Sequence, residues 1–473
     1  MRYGRYAMFI PRRWPYEAWI PLTTGLLWLW CAASFGVVGF LFSLVPGCLL
    51  LSSAVSTLLY PGDVRIPQFT AAGGLLGVPF AVPAIFIAGW PTGLALLVLS
   101  AMSFITAGAI SVLQEPHEED VPEPQPSLAL AAQVALDDTV LAGLSVRSTL
   151  NIDPHQVALE VRAARELYEQ RGWLESPREF HVDPPDLANP DSTVEKAWGI
   201  EFEHLRWDSG YEPHSDEPGR ERWLGYAPNR SAHAWVLRHP AKPRPWLICI
   251  PGYEMGFPRM DFAGFQVWKL INEFQLNVAI PVLPFHGPRR ISPFSGTGFI
   301  AGNFLDTVHA EAQAMWDIRR LLSWIRAQQE GGVGVWGLSL GGYNAALFSC
   351  LGDDLACVIA GIPATDFTRL TWRHGPTMQL RYAERHGVMH DEISEVLRVV
   401  SPLALETKVV KEQRYIYAGI ADQLVPADQP RDLWRHWDRP RIEWYQGAHL
   451  TFRAHAAVRA LVPAALRSAG LVA

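Results

Sequence analysis

The chain has 473 residues, 49% of them hydrophobic, and a formal net charge of −7. That length exceeds one ordinary domain and supplies ample apolar material for a core. The acidic balance and the lack of any lysine- or arginine-rich run argue against nucleic acid as a partner. Five cysteines (Cys31, Cys48, Cys249, Cys350, Cys357) form no Cys-x-x-Cys pair, and their odd number argues against a disulfide framework. His386 and His390 are four apart but precede Asp391-Glu392 without the His-Glu-x-x-His order, so they read as a solvated helix face. No metal or cofactor is expected.

Residues 1–14 carry Arg2, Arg5, Arg12 and Arg13 and no acid. Ala18 to Gly62 and Ile66 to Gln114 then hold no charged side chain at all. A helical crossing of a bilayer needs about 20 apolar residues, so each run is long enough for two crossings. We expect a membrane region over residues 1–114 with about four helices. Breaks are expected within Gly39 to Gly47, where Pro46-Gly47 turns or kinks the helix, and at Trp90-Pro91. A signal peptide has an apolar stretch of only about 7–15 residues, well short of the first run. The arginines predict a cytoplasmic N-terminus, and an even number of crossings returns the chain to that side; three would place the remainder outside.

Glu115 to Ser127 is acidic and proline-rich, which suits a linker, and we expect one over residues 115–150. Asp153-Pro154, the apolar stripe Val157, Val161, Ala164, Leu167 and Tyr168, and Gly172 predict a capped amphipathic helix leading into a domain over 151–473. Strands are expected at Trp223 to Tyr226, Ala234 to Leu237, Trp246 to Ile250, Val278 to Val282, Val333 to Trp336, Cys357 to Ala360, Arg414 to Tyr417 and Ile442 to Tyr445. Helical spacing covers Phe262 to Glu273, His309 to Gln328 and Tyr343 to Cys350. Such alternation implies an α/β class with a mostly parallel, doubly wound sheet. Residues 366–407 are too long for a simple connection and read as a helical cap.

Within this pattern, Gly337-Leu338-Ser339-Leu340-Gly341 is a Gly-x-Ser-x-Gly placed between an apolar run and a helix-like run. A serine on such a turn projects its hydroxyl clear of the sheet, and small flanking residues let strand and helix pass closely. Ser339 is therefore the candidate nucleophile, the alternative being an ordinary turn. A serine hydroxyl needs a base to take its proton and an acid to orient that base. Downstream, Tyr415 to Asp422 is a strand running into an acid, and Trp444 to His449 a strand running into a histidine. Asp422 and His449 are the candidate acid and base. Asp366 and Asp428 compete for the acid, and Asp422 as a mere helix cap and His449 as a loop histidine are the structural alternatives. His436 and His455 fall in helix-like runs. For the oxyanion, the backbone N–H of Leu340 is one expected donor, and the loop Pro251 to Gly256 offers Tyr253 N–H, with Glu254 N–H next.

The elbow, the Gly419-x-x-Asp422-x-x-Val425-Pro426 segment and Gly447-Ala448-His449-Leu450 resemble the α/β hydrolase superfamily. Leu283-Pro284-Phe285-His286-Gly287-Pro288-Arg289-Arg290 and Asp317-Ile318-Arg319-Arg320-Leu321-Leu322 look more narrowly like its α/β hydrolase domain-containing protein 18-like branch. The resemblance runs from about Trp198 to the C-terminus. It departs at Pro251, where many relatives have the histidine of a His-Gly oxyanion loop. His286 and Arg289 are candidate substrate contacts, or else a loop-bracing cluster. Together these features imply an α/β hydrolase fold preceded by an all-α membrane region. The expected activity is that of a membrane-anchored serine esterase or lipase on a small-molecule or lipid ester. The same triad serves acyl transfer or peptide cleavage, and a non-catalytic membrane scaffold is the rival from another class.

Overall fold

A computed structural model of the chain describes residues 16–60, 62–147, 153–240, 243–300, 303–328 and 331–472. Arg2, Arg5, Arg12 and Arg13, on which the expected orientation rests, lie outside them. The chain divides into two compact units. In the first, the helices up to residue 147 group with Gly419–Ala427 and Trp444–His455; the second takes in the described residues of 153–418, Asp428–Glu443 and 456–472.

The first unit contains α1 (Trp19–Ser34), α2 (Gly36–Leu59), α3 (Ile66–Ile87), α4 (Trp90–Gln114) and α5 (Leu128–Arg147). Among the described residues, four helices are long and apolar enough to cross a membrane: α2, α3, α4 and the Leu128–Val146 part of α5. The number matches the expectation but the set does not. α1 has 16 residues, and at 1.5 Å per residue that is about 24 Å, short of a hydrocarbon core of roughly 30 Å. α5 occupies the segment expected to be a linker; Ser127 caps it, its Oγ accepting from Leu130 N at 3.1 Å. The first uncharged run breaks earlier than expected, at Phe35-Gly36, where Gly36 turns the chain with φ +62°. Pro46 stays inside α2, as neighbouring helices in an apolar bundle permit. The second run breaks ahead of Trp90, as expected at Trp90-Pro91.

Buried hydroxyls join these helices. Trp28 Nε1 donates to Ser100 Oγ at 3.0 Å, Thr24 and Ser103 hydroxyls lie 3.1 Å apart, and Thr70 donates to Ser53 at 2.8 Å. In apolar surroundings such groups must satisfy one another. Val37, Leu41, Val82 and Phe86 point outward and exposed, an apolar surface that favours lipid over water. Gly108 lets α4 touch α5, since a Cβ there would fall 1.9 Å from Ala131 O.

The second unit begins with α6 (Pro154–Gln170), capped by the Asp153 side chain as its sequence predicts. The strands are β1 (Asp191–Ala197), β2 (Ile200–Asp208), β3 (Ser231–Leu237), β4 (Trp246–Ile250), β5 (Asn277–Val282), β6 (Val333–Leu338), β7 (Leu355–Gly361), β8 (Arg414–Gly419) and β9 (Arg441–Tyr445). They form one sheet in the order β1-β2-β3-β5-β4-β6-β7-β8-β9. Pairing is antiparallel from β1 to β3 and between β3 and β5, then parallel through β5, β4, β6, β7 and β8.

β1 and β2 were not expected, because the edge strand β1 is almost wholly exposed and polar and lacks an apolar alternation. Its two-residue turn, Trp198-Gly199, has both residues at positive φ, 48° and 80°, which matches the right-handed twist of a tight hairpin. Trp223 to Tyr226, expected as a strand, instead lies in and just beyond α7 (Arg220–Gly225). Trp223 N closes that helix onto Gly219 O at 2.9 Å. The remaining helices are α8 (Pro258–Phe265), α9 (Val267–Asn272), α10 (Phe304–Ala327), α11 (Leu340–Leu351), α12 (Phe367–His374), α13 (Thr377–Arg385), α14 (His390–Leu397), α15 (Asp428–His436) and α16 (Ala456–Ser468). α12 to α14 fill the segment read as a cap.

Candidate active site

In the second unit, β6 runs into α11 through a single sharp turn at Ser339. A Cβ on Gly337 would lie 1.8 Å from Gly341 O, and one on Gly341 would lie 1.9 Å from Ile250 O. Any side chain at either position would push strand and helix apart. Ser339 itself takes φ +58° and ψ −115°, a region that costs a non-glycine residue about 1–3 kcal/mol. Its N–H donates to Gly361 O at 2.9 Å, and its carbonyl accepts from Tyr343 N at 3.1 Å. Ser339 is partly exposed although its neighbours on both sides are buried. Leu340 opens α11, so its N–H belongs to the unsatisfied first turn of a helix, where negative charge is favoured. The loop after β4 lies against this elbow: a Cβ on Gly252 would meet Ser339 Cβ at 3.4 Å. Tyr253 is the next residue along it.

In the first unit, Asp422 follows β8 and His449 follows β9. His449 Nδ1 donates to Asp422 Oδ2 at 2.6 Å, while Asp422 Oδ1 accepts from Val425 N at 2.8 Å. The proton on Nδ1 leaves Nε2 as the basic nitrogen of the neutral ring. Burial disfavours the imidazolium, but the Asp422 carboxylate outweighs it and holds the histidine pKa above its ordinary value. The competing acids are engaged elsewhere. Asp366 caps α12 through Arg369 N at 2.9 Å, and Asp366, Asp428 and Asp432 together surround the Arg369 guanidinium. His436 donates to Leu405 O, and His455 to Gln133 Oε1.

One buried acid beside this pair escaped the sequence reading. Asp137 of α5 is wholly buried. Its carboxylate accepts from His449 N at 2.7 Å, Leu450 N at 3.2 Å and Gln423 N at 3.2 Å. The available signal was Asp137-Asp138 standing inside an otherwise apolar stretch, where buried acids need donors.

His286 and Arg289 are not placed to meet a substrate. Arg289 is fully buried, donates to Val282 O and Asn229 O, and pairs with Asp317 at 2.9 Å. The two segments that carry the narrower resemblance thus meet as one buried ion pair. His286 is also fully buried; its Nδ1 donates to Pro284 O at 2.8 Å. Burial holds its pKa down to about 4, so the ring is neutral. It stands edge-on to Tyr253 with centroids 5.9 Å apart, which braces the loop after β4. Local sequence could not tell an arginine on a loop from one beneath it.

The reversed β5-β4 pair, the sequential parallel strands after it and the serine on a strand-to-helix elbow after β6 define an α/β hydrolase fold. Here it is preceded by long apolar helices. No family model matches the chain. Uncharacterized protein MT2702 of Mycobacterium tuberculosis (strain CDC 1551 / Oshkosh) is 45% identical over 365 residues, covering 76% of this chain and 86% of that protein. Uncharacterized protein Rv2627c of strain ATCC 25618 / H37Rv is 44% identical over the same shares. The chain belongs to the family of these two proteins. Among solved structures, acetyl xylan esterase 1 from Thermoanaerobacterium sp. JW/SL YS485 is similar with TM-score 0.42 and 14% identity, over 63% of this chain and 98% of that one. A lipase/esterase from Lactobacillus plantarum has TM-score 0.34 and 14% identity, over 60% and 100%.

Proposed function

We propose that the chain is a membrane-associated serine hydrolase of carboxylic esters, using Ser339, His449 and Asp422. The observation that carries this reading is Ser339 itself. A serine kept at φ +58° between two glycines that admit no side chain is a strained residue held partly exposed at a sharp turn. The hydrogen-bonded Asp422–His449 pair supplies the oriented base such a hydroxyl requires.

In this scheme His449 Nε2 takes the Ser339 proton as Oγ attacks the acyl carbonyl. Leu340 N–H and Tyr253 N–H receive the oxyanion, and His449 returns the proton to the departing alcohol. A water activated by the same nitrogen then releases the acid from the acyl-enzyme. Asp422 stabilises the imidazolium at both stages. The apolar outer faces of the helices and the exposed Met378, Tyr382 and Met389 on the cap favour a lipid-like ester. Because α5 packs on the loops that carry Asp422 and His449, we take the four crossings as α1, lengthened by the turn at Tyr16–Ala18, with α2 to α4, which keeps the hydrolase on the side of the N-terminus. The positive-inside rule makes that side cytoplasmic. The likeness to the 18-like branch brings no substrate with it, because its Arg289 and Asp317 are structural.

The test is labelling of the full-length protein by a fluorophosphonate probe, with Ser339→Ala as control. Loss of the nucleophile is expected to cut turnover on the order of 10⁶-fold. Wild-type protein that stays unlabelled would sink the reading. Comparing lipids in cells carrying wild type and Ser339→Ala then identifies the ester consumed.

A further inference from the structure

One face of α5 is given over to the two loops that carry the acid and the base. Leu130, Gln133, Val134 and Asp137 fall at helical spacing i, i+3, i+4 and i+7, which places them on one stripe. Leu130 and Val134 pack with Ala421 and Ala448, the residues immediately before Asp422 and His449. Gln133 Oε1 accepts from Thr451 Oγ1 at 2.7 Å and from His455 Nε2 at 3.2 Å. At the far end of the stripe, the Asp137 carboxylate takes the backbone N–H groups of Gln423, His449 and Leu450. Just before α5, Gln446 accepts from Gln125 N and donates to Glu123 O. The opposite side of α5 is fixed to the helical bundle by Gly108 against Ala131 and by Ser111 Oγ donating to Asp138 Oδ2 at 2.7 Å.

A carboxylate accepting three backbone N–H bonds in a buried site is an expensive group to place, since each bond replaces water that the acid gave up. Simple packing of α5 against these two loops needs no such group. What Asp137 specifies is the backbone of the residue that carries the imidazole, together with the residue that follows Asp422. We propose that Asp137 is a positioning residue for the acid–base pair, so that the apolar helical region is part of the catalytic apparatus and more than an anchor. This rests on the triad reading above. Asp137 touches no reacting atom; it acts by holding His449 where its ring meets Asp422 and the nucleophile's proton. Misplacement of a catalytic group by about 1 Å costs on the order of 100-fold.

The experiment uses the full-length protein in detergent micelles, as wild type, Asp137→Ala, Asp137→Asn and Asp138→Asn. Two readouts are followed: the rate of fluorophosphonate labelling with hydrolysis of p-nitrophenyl acetate, and hydrogen exchange of the amides in Gly419–Ala427 and Trp444–His455. Asp137→Ala is expected to label about 100-fold slower, with kcat reduced and KM unchanged, and to lose protection at Gln423, His449 and Leu450. Asp137→Asn keeps an acceptor oxygen and is expected to recover part of both. Asp138→Asn removes an equally buried acid from the same helix, one whose carboxylate accepts from Ser111 of α4, and is expected to keep wild-type labelling. Labelling at the wild-type rate in Asp137→Ala, or an equal loss in Asp138→Asn, overturns the inference while leaving the triad reading intact. Unlabelled wild type sinks the triad reading instead. The exchange measurement then still decides whether Asp137 holds the two loops.

Discussion

The candidate nucleophile and the acid–base pair proposed for it are fixed by different physical means. Ser339 is set by backbone packing alone: two glycines that admit no Cβ, two main-chain hydrogen bonds and a left-handed φ. Asp422 and His449 sit on loops whose geometry is set by side chains, above all by Asp137, 312 residues away from His449 in the chain. A backbone-defined site is tolerant of neighbouring side-chain changes and intolerant of any change at its glycines. A site defined by a buried carboxylate can be lost through one substitution in a distant helix. The proposed nucleophile is thus set locally and the proposed base remotely, and the remote part is where a distant mutation has a handle.

The sharpest break of this comparison is Asp422→Asn. It leaves the elbow untouched and removes the carboxylate that selects the Nδ1–H tautomer, so turnover is expected to fall on the order of 10⁴-fold in steady-state assays. The pH profile carries the same information. The base works only as neutral imidazole, so the wild-type rate should fall as pH drops through a midpoint above the ordinary histidine value of about 6.5, because Asp422 raises it against burial. In Asp422→Asn that midpoint should move down. A midpoint unchanged between the two proteins would count against Asp422 as the partner.

Next in size is Arg289→Met, which tests whether the segment with the narrower family likeness is structural. It leaves Asp317 buried without its cation and is expected to destabilise the second unit by about 3–5 kcal/mol in chemical unfolding. Substrate affinity in the protein that remains folded should not change. Tyr253→Pro deletes the proposed oxyanion N–H and is expected to lower kcat by about 10²–10³-fold, whereas Tyr253→Ala keeps the N–H and most of the rate. Equal losses in both variants would move the second donor to another residue. The smallest expected effect is one of stability: Ser339→Gly relieves the left-handed φ and should raise stability by about 1 kcal/mol in a thermal melt.

The elbow was legible because everything it needs lies within a few residues: an apolar strand, a serine between glycines, then a helix. Asp422 and His449 were legible for a related reason, each ending an apolar strand. The polar edge strand β1 carries no such signal, because an edge facing water has no burial pattern to display. The start of α2 was misjudged because Gly36 turns the chain while Pro46, the more conspicuous breaker, rides inside a helix. Arg289 read as a candidate contact because a loop position does not reveal its depth. α5 was taken for linker because the acidic, proline-rich Glu115 to Ser127 just before it set the reading for residues 115–150, and the acids inside its apolar run make sense only beside the donors that hold them.

By itself, then, the sequence determined the class of fold, the apolar helices that precede it and which residues, Ser339, Asp422 and His449, are the candidates for the chemistry proposed. These are consequences of short-range rules, hydrophobic period and steric allowance at a turn. Only the tertiary structure decided that Arg289 is buried against Asp317, that α5 is a helix applied to the acid and base loops, and that Asp137 receives three of their N–H groups. Those are pairings of groups far apart along the chain. A buried charge declares its role only when the donors that compensate for its lost water are brought to it by the fold.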